Sequence, residues 1–261
     1  MKNKKIVFII PAHLNSVRLP KKILLNIKKL PLIEHVRRRI LYYDKNAKVY
    51  IATPDKNIKD LILNNGGNVI QTSKKHLNGT SRISEAIKKI DCSHVILIQG
   101  DEPLLLPSHL KKIYNVILND QNNKIWNATA GIDSKFYNTH SMVKCTLDSK
   151  GMIHNLFRKI TNQKLDEFSN NKLKIRKILG IIGFDRKILE EYKNLIVAKE
   201  EINLSVEQIR YLKNGIGIKS ISIKKALPSI NEKIDLKVVL NELNNNYLQK
   251  KIYNNIISEK T

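Results

Sequence analysis

An alternation of short apolar runs with amphipathic segments, over roughly the first 120 residues, most constrains the fold. Ile6–Ile10 is a continuous apolar run that ends at a proline, which is typical of a strand buried on both faces. Apolar residues at helical spacing, Ile33, Val36 and Ile40, then predict a helix over Pro31–Tyr43. Repetition of this order predicts βαβ units around a parallel sheet, and therefore an α/β fold.

The same patterns continue along the chain. Further strands are predicted at Val49–Thr53, Val69–Thr72, Val95–Gln99, Met142–Leu147, Leu179–Phe184 and Gly217–Ile223. Further helices are predicted at Asn57–Asn65, Ser81–Ile90 (capped by Thr80 or Ser81), Pro107–Asn119, Ser205–Lys213 and Leu236–Ile257. Residues 133–177 are less regular, and we expect a smaller lobe or a dimer contact there, inside a single domain that spans residues 1–261.

Charge and cysteine content narrow the classes of function. The net charge of +24, from 47 Lys and Arg against 23 Asp and Glu, suggests a polyanionic partner such as nucleic acid. The lysines are spread along the whole chain, however, which favours a solvated surface or an anionic small substrate. Cys92 and Cys145 match neither a zinc site nor a disulfide framework and are predicted to be buried. Because no apolar run reaches the ~18 residues of a membrane span, we expect a cytoplasmic protein.

Three segments follow predicted strands, at the sheet edge where ligands of such folds bind. They are Pro11–Lys22, Thr53–Asp55 and Gly100–Pro103. The first has no glycine; it either presents cations and backbone N–H groups to a polyphosphate or is an ordinary basic loop. Asp101 either holds magnesium (Mg2+) beside a phosphate or caps a turn. A fourth segment, Asn78–Arg82, either binds an anion or the edge of a base, or is simply the start of a helix.

Several motifs occur together in a recognisable order and spacing. They are Ile9–Leu24, Gly79–Arg82, Gln99–Pro103, Leu179–Phe184 and Val206–Arg210. This set, across nearly the whole chain, resembles sugar nucleotidyltransferases that activate acidic sugars with CTP, in particular the 3-deoxy-manno-octulosonate cytidylyltransferase (CMP-Kdo synthetase) family. The resemblance implies a Rossmann-like nucleotide-diphospho-sugar transferase fold with a mixed, mainly parallel sheet, flanking helices and a smaller second lobe. It also implies transfer of CMP from CTP to a sugar acid, release of pyrophosphate, a role in surface polysaccharide biosynthesis, and a homodimer.

The resemblance assigns roles to the residues that match these motifs. It implies that Arg18, Lys22 and Asp101 are catalytic. The nucleotide would contact Pro11, Ala12, His13, Arg18, Lys22, Asn78, Gly79, Thr80, Arg82 and Gln99. The sugar acid would contact Arg158, Glu207 and Gln208. Mg2+ would be held by Asp101 and Asn231.

The chain departs from the family pattern at positions that surround the implied site. His13 stands where the family has an arginine, and Ile178 stands where it has a histidine. Asn231 stands at the second metal-binding aspartate, while Asp235, four residues on, is the poorer ligand candidate. The aspartate that follows the second strand in the family is either displaced here to Asp55 or absent.

Three functions therefore remain open at the level of sequence. The first is an active cytidylyltransferase for 3-deoxy-manno-octulosonate (Kdo) or a close relative. The second is a catalytically impaired paralogue that binds a nucleotide or a sugar acid in a regulatory role. The third and least favoured is a basic nucleic-acid-binding protein. The first is favoured because Arg18, Lys22, Arg82, Asp101 and Gln208 are all present.

Overall fold

The computed structural model describes residues 4–16 and 18–258, so Val17 of the loop Pro11–Lys22 lies outside the described residues. Strands in the described part of the chain are β1 (Ile6–Pro11), β2 (Asn26–Ile27), β3 (Leu30–Pro31), β4 (Val49–Thr53), β5 (Asn68–Gln71), β6 (His94–Ile98), β7 (Ile125–Ala130), β8 (Lys144–Leu147), β9 (Ile153–Phe157), β10 (Lys174–Asp185) and β11 (Lys219–Ile223). Helices are α1 (Leu32–Tyr43), α2 (Lys56–Asn64), α3 (Gly79–Ala86), α4 (Pro107–Asn119), α5 (Asn162–Asn170), α6 (Arg186–Glu190), α7 (Lys199–Leu204), α8 (Gln208–Lys213), α9 (Lys233–Asn245) and α10 (Tyr247–Ser258).

The central sheet is mixed and mainly parallel, which confirms the predicted α/β class. Its strands lie in the order β11-β7-β10-β6-β1-β4-β5. The pairs β1–β4, β1–β6, β4–β5 and β7–β11 are parallel, whereas β10 is antiparallel to both β6 and β7. All strands of this order except β10 therefore run in the same direction, and their carboxyl ends meet at one edge.

Strand β1 shows why its sequence is continuously apolar. Val7 and Ile9 pack into the core on one face of the sheet, while Phe8 and Ile10 pack into the core on the other. All four are at most 1% exposed. Burial of each such side chain contributes about 1.5–3 kcal/mol, so a strand with two covered faces favours a continuous apolar run.

Strand β7 is absent from the sequence-based prediction, because its polar residues break the apolar run. Asn127 and Thr129 are fully buried within it. The register of β7 against β10 shifts between Ile178 and Ile182. The Asn127 side chain occupies this irregularity and donates to the carbonyl of Leu179 at 3.0 Å. A buried amide is tolerated here because the bulge provides its acceptors.

Residues 133–177 contain regular structure around a small core. Strand β8 pairs with β9 and with the first half of β10, which the sequence predicts only from Leu179 onward. The polar stretch at 162–171 forms α5, whose first turn is capped by the Thr161 side chain. Phe157, Ile160 and Phe168 form a separate apolar cluster beneath it.

Three helix predictions need correction. The predicted terminal helix Leu236–Ile257 is two helices that meet at Asn246, whose extended backbone ends α9 and whose side chain accepts from the N–H of Gln249. Helix α3 starts at Gly79 and is capped by Asn78, earlier than the predicted Thr80 or Ser81, and ends at Ala86 before a 3₁₀ turn, Ile87–Lys89. Helix α8 starts at Gln208, because Ser205 has a left-handed backbone with φ of 50°.

Two further expectations concern the cysteines and membrane-spanning segments. Cys92 and Cys145 are both free and buried, as predicted. Among residues 4–16 and 18–258, no helix has the length and apolar composition needed to cross a membrane.

Candidate active site

Two adjoining cavities open at the carboxyl edge of the sheet, one of about 1310 Å³ and a smaller one of about 590 Å³. Of the implied site residues, the larger cavity is lined by Arg18, Asn78, Gly79, Gln99, Asp101, Arg158, Glu207, Gln208 and Asn231. The smaller is lined by Pro11, Ala12, His13, Arg18, Lys22, Gly79, Arg82, Gln99, Asp101 and Arg158. Thr80 is fully buried and lines neither. The fold thus brings together residues that lie more than 200 positions apart in the chain.

The loop after β1 meets the end of β6 through an ion pair. Lys22 Nζ lies 2.7 Å from Asp101 Oδ2 and also donates to the carbonyl of Ile230 at 3.0 Å. The N–H of Ile230 in turn donates to the carbonyl of Asp101 at 2.9 Å. Both charged side chains are mostly buried, 13% exposed for Lys22 and 21% for Asp101. Water therefore screens this pair less than it would a surface pair.

Asn231 follows Ile230 and so lies next to the Lys22–Asp101 pair. Its Oδ1 accepts from Arg18 Nη2 at 3.1 Å, and Arg18 also lies 3.7 Å from Glu232 Oε1. The carboxylate of Asp235 has a structural role instead, because its Oδ2 accepts from the backbone N–H groups of Asn231 and Glu232 at 2.8 Å each. These bonds help to cap the N-terminus of helix α9.

The donor set at Asp101 suits one kind of metal site. Among the described residues, no group of three or more His, Cys, Asp or Glu side chains could hold an ion. Mg2+ commonly binds through one or two carboxylates together with substrate phosphates. Asp101 and the amide oxygen of Asn231 fit such a site, in which the substrate supplies the remaining ligands.

The start of α3 is tied to the opposite wall of the larger cavity. Asn78 Oδ1 accepts from the N–H of Ser81 at 2.8 Å, and Asn78 Nδ2 donates to the hydroxyl of Tyr192 at 2.9 Å. The N–H of Thr80 donates to Glu207 Oε2 at 2.8 Å. Both polar atoms of the Asn78 side chain therefore have protein partners, and the first turn of α3 is held from two sides.

Glu207 and Gln208 are both buried, and each contacts a residue that is distant in the chain. Burial raises the pKa of Glu207 above its ordinary value, against the hydrogen bond from the Thr80 backbone, which lowers it. Gln99 Nε2 lies 3.4 Å from Glu207 Oε1, and Gln208 Nε2 donates to Asn127 Oδ1 at 3.0 Å. Asn127 is thus a site-supporting residue that sequence patterns did not reveal.

Arg158 lies where the two cavities meet. Its Nε donates to the carbonyl of Leu204 at 2.5 Å, its Nη1 to that of His140 at 2.9 Å and its Nη2 to that of Ser205 at 3.3 Å. Burial and the nearby charge of Arg18 both lower the pKa of Arg158. Because a guanidinium has five N–H donors, two remain for a ligand.

The smaller cavity is strongly cationic. Its described lining contains the permanent cations Arg18, Lys22, Arg82 and Arg158, whereas its one carboxylate is Asp101. Partial burial and the charge of Arg82, with Lys22 adding to them, lower the pKa of His13 despite Asp55. The lowered pKa favours the neutral imidazole at pH 7.

Glu102 is a second residue to which sequence patterns gave no role. Its carboxyl lines the larger cavity, and Glu102 Oε1 accepts from the N–H of Gly180 at 3.2 Å. Burial and the adjacent Asp101 raise the pKa of Glu102 to about 7, against Lys177, which lowers it. Its place directly after Asp101 is the signal that could have identified it.

Comparison with known proteins identifies a family that matches most of the chain. A family described as cytidylyltransferase matches residues 7–226. The 3-deoxy-manno-octulosonate cytidylyltransferase of Thermodesulfovibrio yellowstonii is 33% identical over 227 residues, covering 82% of this chain and 88% of the relative. The enzyme of the same name from Escherichia coli is 29% identical over 235 residues, covering 87% of this chain and 91% of the relative.

A solved structure is similar over the same extent. It is that of CMP:2-keto-3-deoxy-manno-octonic acid synthetase complexed with CTP, which is 28% identical to this chain. The superposition covers 92% of this chain and 98% of that one, with a TM-score of 0.83. The likeness therefore extends through the sheet, its flanking helices and the region that carries the two cavities.

Proposed function

This chain belongs to the cytidylyltransferase family, and we propose that it transfers CMP from CTP to an acidic sugar, Kdo or a close relative, with release of pyrophosphate. The cationic smaller cavity, which opens into a larger cavity across Asp101, Arg18 and Arg158, is the observation that carries this proposal. The named relatives and the CTP-bound structural neighbour support it.

The smaller cavity suits the triphosphate. Arg18, Lys22 and Arg82 bring three permanent positive charges to a space of about 590 Å³, which favours a polyanion. Gly79 lets α3 pack closely against the wall of this cavity, since a Cβ there would lie only 3.0 Å from Pro11 Cγ and 3.4 Å from Gln99 Nε2. We assign the cytidine to this narrow wall of Pro11, Gly79 and Gln99.

The larger cavity suits the sugar acid. Its junction with the smaller one is marked by Arg158, whose two remaining N–H donors match the two oxygens of a carboxylate. Gln208 and Glu207 form part of the same lining and are held in place by Asn127 and by helix α3. A sugar bound there would present its anomeric hydroxyl toward the phosphates near Asp101.

The reaction would then follow from alignment and charge neutralisation. The anomeric oxygen attacks the α-phosphorus of CTP, a new P–O bond forms, the bond to pyrophosphate breaks, and the hydroxyl proton passes to water. Such transfers need mainly orientation of the reactants and stabilisation of charge that develops on phosphate oxygens. Arg18 and Lys22 would neutralise the departing pyrophosphate. Mg2+, held by Asp101 and Asn231, would supply further neutralisation of phosphate charge.

Other features of the proposed function come from the family resemblance. We propose that the enzyme requires Mg2+, acts as a homodimer with residues 133–177 at the contact, and serves surface polysaccharide biosynthesis in the cytoplasm. The exposed Phe136, which lies in that region, is 39% accessible and would be covered by such a contact.

The test is pyrophosphate release from CTP with a panel of sugar acids, in the presence of Mg2+. We expect release with Kdo, 8-amino-Kdo or a sialic-type acid, and formation of the corresponding CMP-sugar. The panel also identifies the preferred acid. If the folded protein releases no pyrophosphate with any acid, in Mg2+ or Mn2+, the proposed activity is wrong. The chain is then the catalytically impaired paralogue.

Asn231→Asp tests the assignment of the metal site. A carboxylate beside Asp101 would bind Mg2+ more strongly than an amide oxygen. We therefore expect half-maximal activity at an Mg2+ concentration about 10-fold lower than for the wild type. Activity is measured over an Mg2+ titration, with Asn241→Asp, on the exposed face of α9, as the control. An unchanged Mg2+ dependence would place the metal elsewhere.

A further inference from the structure

A buried lysine next to the site has no role in the function described so far. Lys144, the first residue of β8, is fully buried. Its ammonium donates to the carbonyl of Thr139 at 2.8 Å, to that of Met142 at 2.9 Å, and to that of Arg158. Buried lysines are rare, and most are paired with a carboxylate. The three acceptors of Lys144 are instead backbone carbonyls, so its burial needs a separate explanation.

Lys144 and Arg158 together join three separate segments. Lys144 binds the loop 139–142 to the residue that follows β9, while the guanidinium of Arg158 binds His140 of that same loop. The guanidinium then continues to Leu204 and Ser205 at the end of α7. We call this set of contacts the carbonyl clamp: two cations and six backbone carbonyls.

The carbonyl clamp lies at the junction of the two cavities. His140, Leu204 and Ser205 line the smaller cavity, and Met142 lines the larger one. Ser205 holds a left-handed backbone, φ 50°, a conformation that non-glycine residues keep only when neighbouring contacts enforce it. The contact from Arg158 is one such constraint.

The chemistry of the clamp explains why carbonyls are used rather than carboxylates. A carboxylate on either side chain would neutralise the positive charge and compete with an incoming anion. Neutral carbonyls orient the two cations without neutralising them, and Arg158, which lines both cavities, can then contact a ligand. Burial and the charge of Arg158 lower the pKa of Lys144 to about 8, so the ammonium form still predominates at pH 7.

We propose that Lys144 is a positioning residue for the sugar acid: it fixes the 139–142 loop and the end of β9, so that Arg158 presents its free N–H donors at the junction of the cavities. The proposal rests on the function proposed above. It concerns the sugar side of the site, since none of the clamp contacts involves Lys22, Arg82 or the start of α3.

The first experiment measures the two Michaelis constants of Lys144→Met. Loss of the ammonium should raise KM for Kdo about 10-fold, while KM for CTP stays within about 2-fold, because the hydrogen bonds lost are those that hold the sugar side. Lys144→Gln, which keeps an amide donor, should give an intermediate KM for Kdo. An unchanged KM for Kdo, or equal increases in both constants, would overturn the proposal.

The matched control is Lys4→Met. Lys4 Nζ also donates only to backbone carbonyls, those of Ile117 and Asp120 at 2.6 Å each, but it precedes β1 at the opposite end of the sheet. Its removal should lower the melting temperature without changing either KM. If Lys4→Met shifted KM for Kdo as Lys144→Met does, the effect would be general destabilisation, and the positioning role would be wrong.

The second experiment does not depend on turnover. Amide hydrogen exchange of Lys144→Met, without substrates, should be faster than in the wild type at residues 139–143 and 203–205, and unchanged in β1 and β6. If Lys144→Met does not fold, Lys144→Gln serves for both measurements. If exchange in these segments is faster but the protein turns over no sugar acid, the first result supports the clamp and the second contradicts the proposed function. Unchanged exchange in these segments would overturn the clamp itself.

Discussion

Asp101→Asn should lower kcat by about 10²- to 10³-fold, the usual cost of removing one group that stabilises developing charge. Asn keeps the size of the side chain but removes the charge that pairs with Lys22 at 2.7 Å and that would hold Mg2+. Pyrophosphate release at saturating CTP and Kdo measures kcat, and a thermal melt shows whether the variant is folded.

The chain provides a close control for this change. Asp91 pairs with Lys5 at 2.6 Å, but its side chain is 82% exposed and lies away from both cavities. Asp91→Asn should therefore leave kcat unchanged, since Asp91 lines neither cavity and an exposed ion pair contributes little to stability. A folded Asp101→Asn variant with kcat within twofold of the wild type would exclude Asp101 from the reaction.

Lys22→Gln should lower kcat/KM by about 10²-fold, with most of the loss in kcat. The ammonium is directed by Asp101 and by the carbonyl of Ile230, so it occupies a defined position in the smaller cavity, which we propose holds the triphosphate. Its charge counts most when the bond to pyrophosphate is breaking, because negative charge then accumulates on the leaving group. Steady-state kinetics with CTP varied at saturating Kdo separate the two constants.

The neighbouring lysine serves as the control for Lys22. Lys21 is exposed and lines neither cavity. Lys21→Gln removes the same charge from the same loop and should leave kcat/KM within about twofold of the wild type, as surface substitutions usually do. Equal losses in the two variants would mean that the effect comes from the overall charge of the loop rather than from the position of Lys22.

The distribution of charge explains why a net charge of +24 was a poor guide to function. In the described lining of the smaller cavity, Arg18, Lys22 and Arg82 converge on a space with a single carboxylate, and Arg158 lies at the junction with the larger cavity. Convergence of a few cations favours a compact polyanion such as a triphosphate. A count over the whole chain contains no information about such convergence.

Hydrophobic periodicity was sufficient for the framework of the fold. Strand β4 and helix α4 have the predicted bounds, and β1 differs only by the inclusion of Pro11. These elements bury continuous or regularly spaced apolar side chains, so their pattern is local and readable. Strand β7 was not predicted from this pattern, because the polar Asn127 interrupts its apolar run. The side chain of Asn127 finds its hydrogen-bond acceptor at a bulge in β10, about 50 residues away in the chain.

The sequence by itself determined the α/β class and the edge of the sheet at which a site was expected, and every implied site residue except Thr80 lines one of the two cavities. Only the tertiary structure decided which contacts those residues make. It assigned Asp235 to a helix cap, placed Thr80 behind the cavity wall, and brought Lys144 to the carbonyl that follows β9. Strands and motifs follow from local patterns, whereas hydrogen-bond partners follow from backbone groups that only the folded chain places within reach.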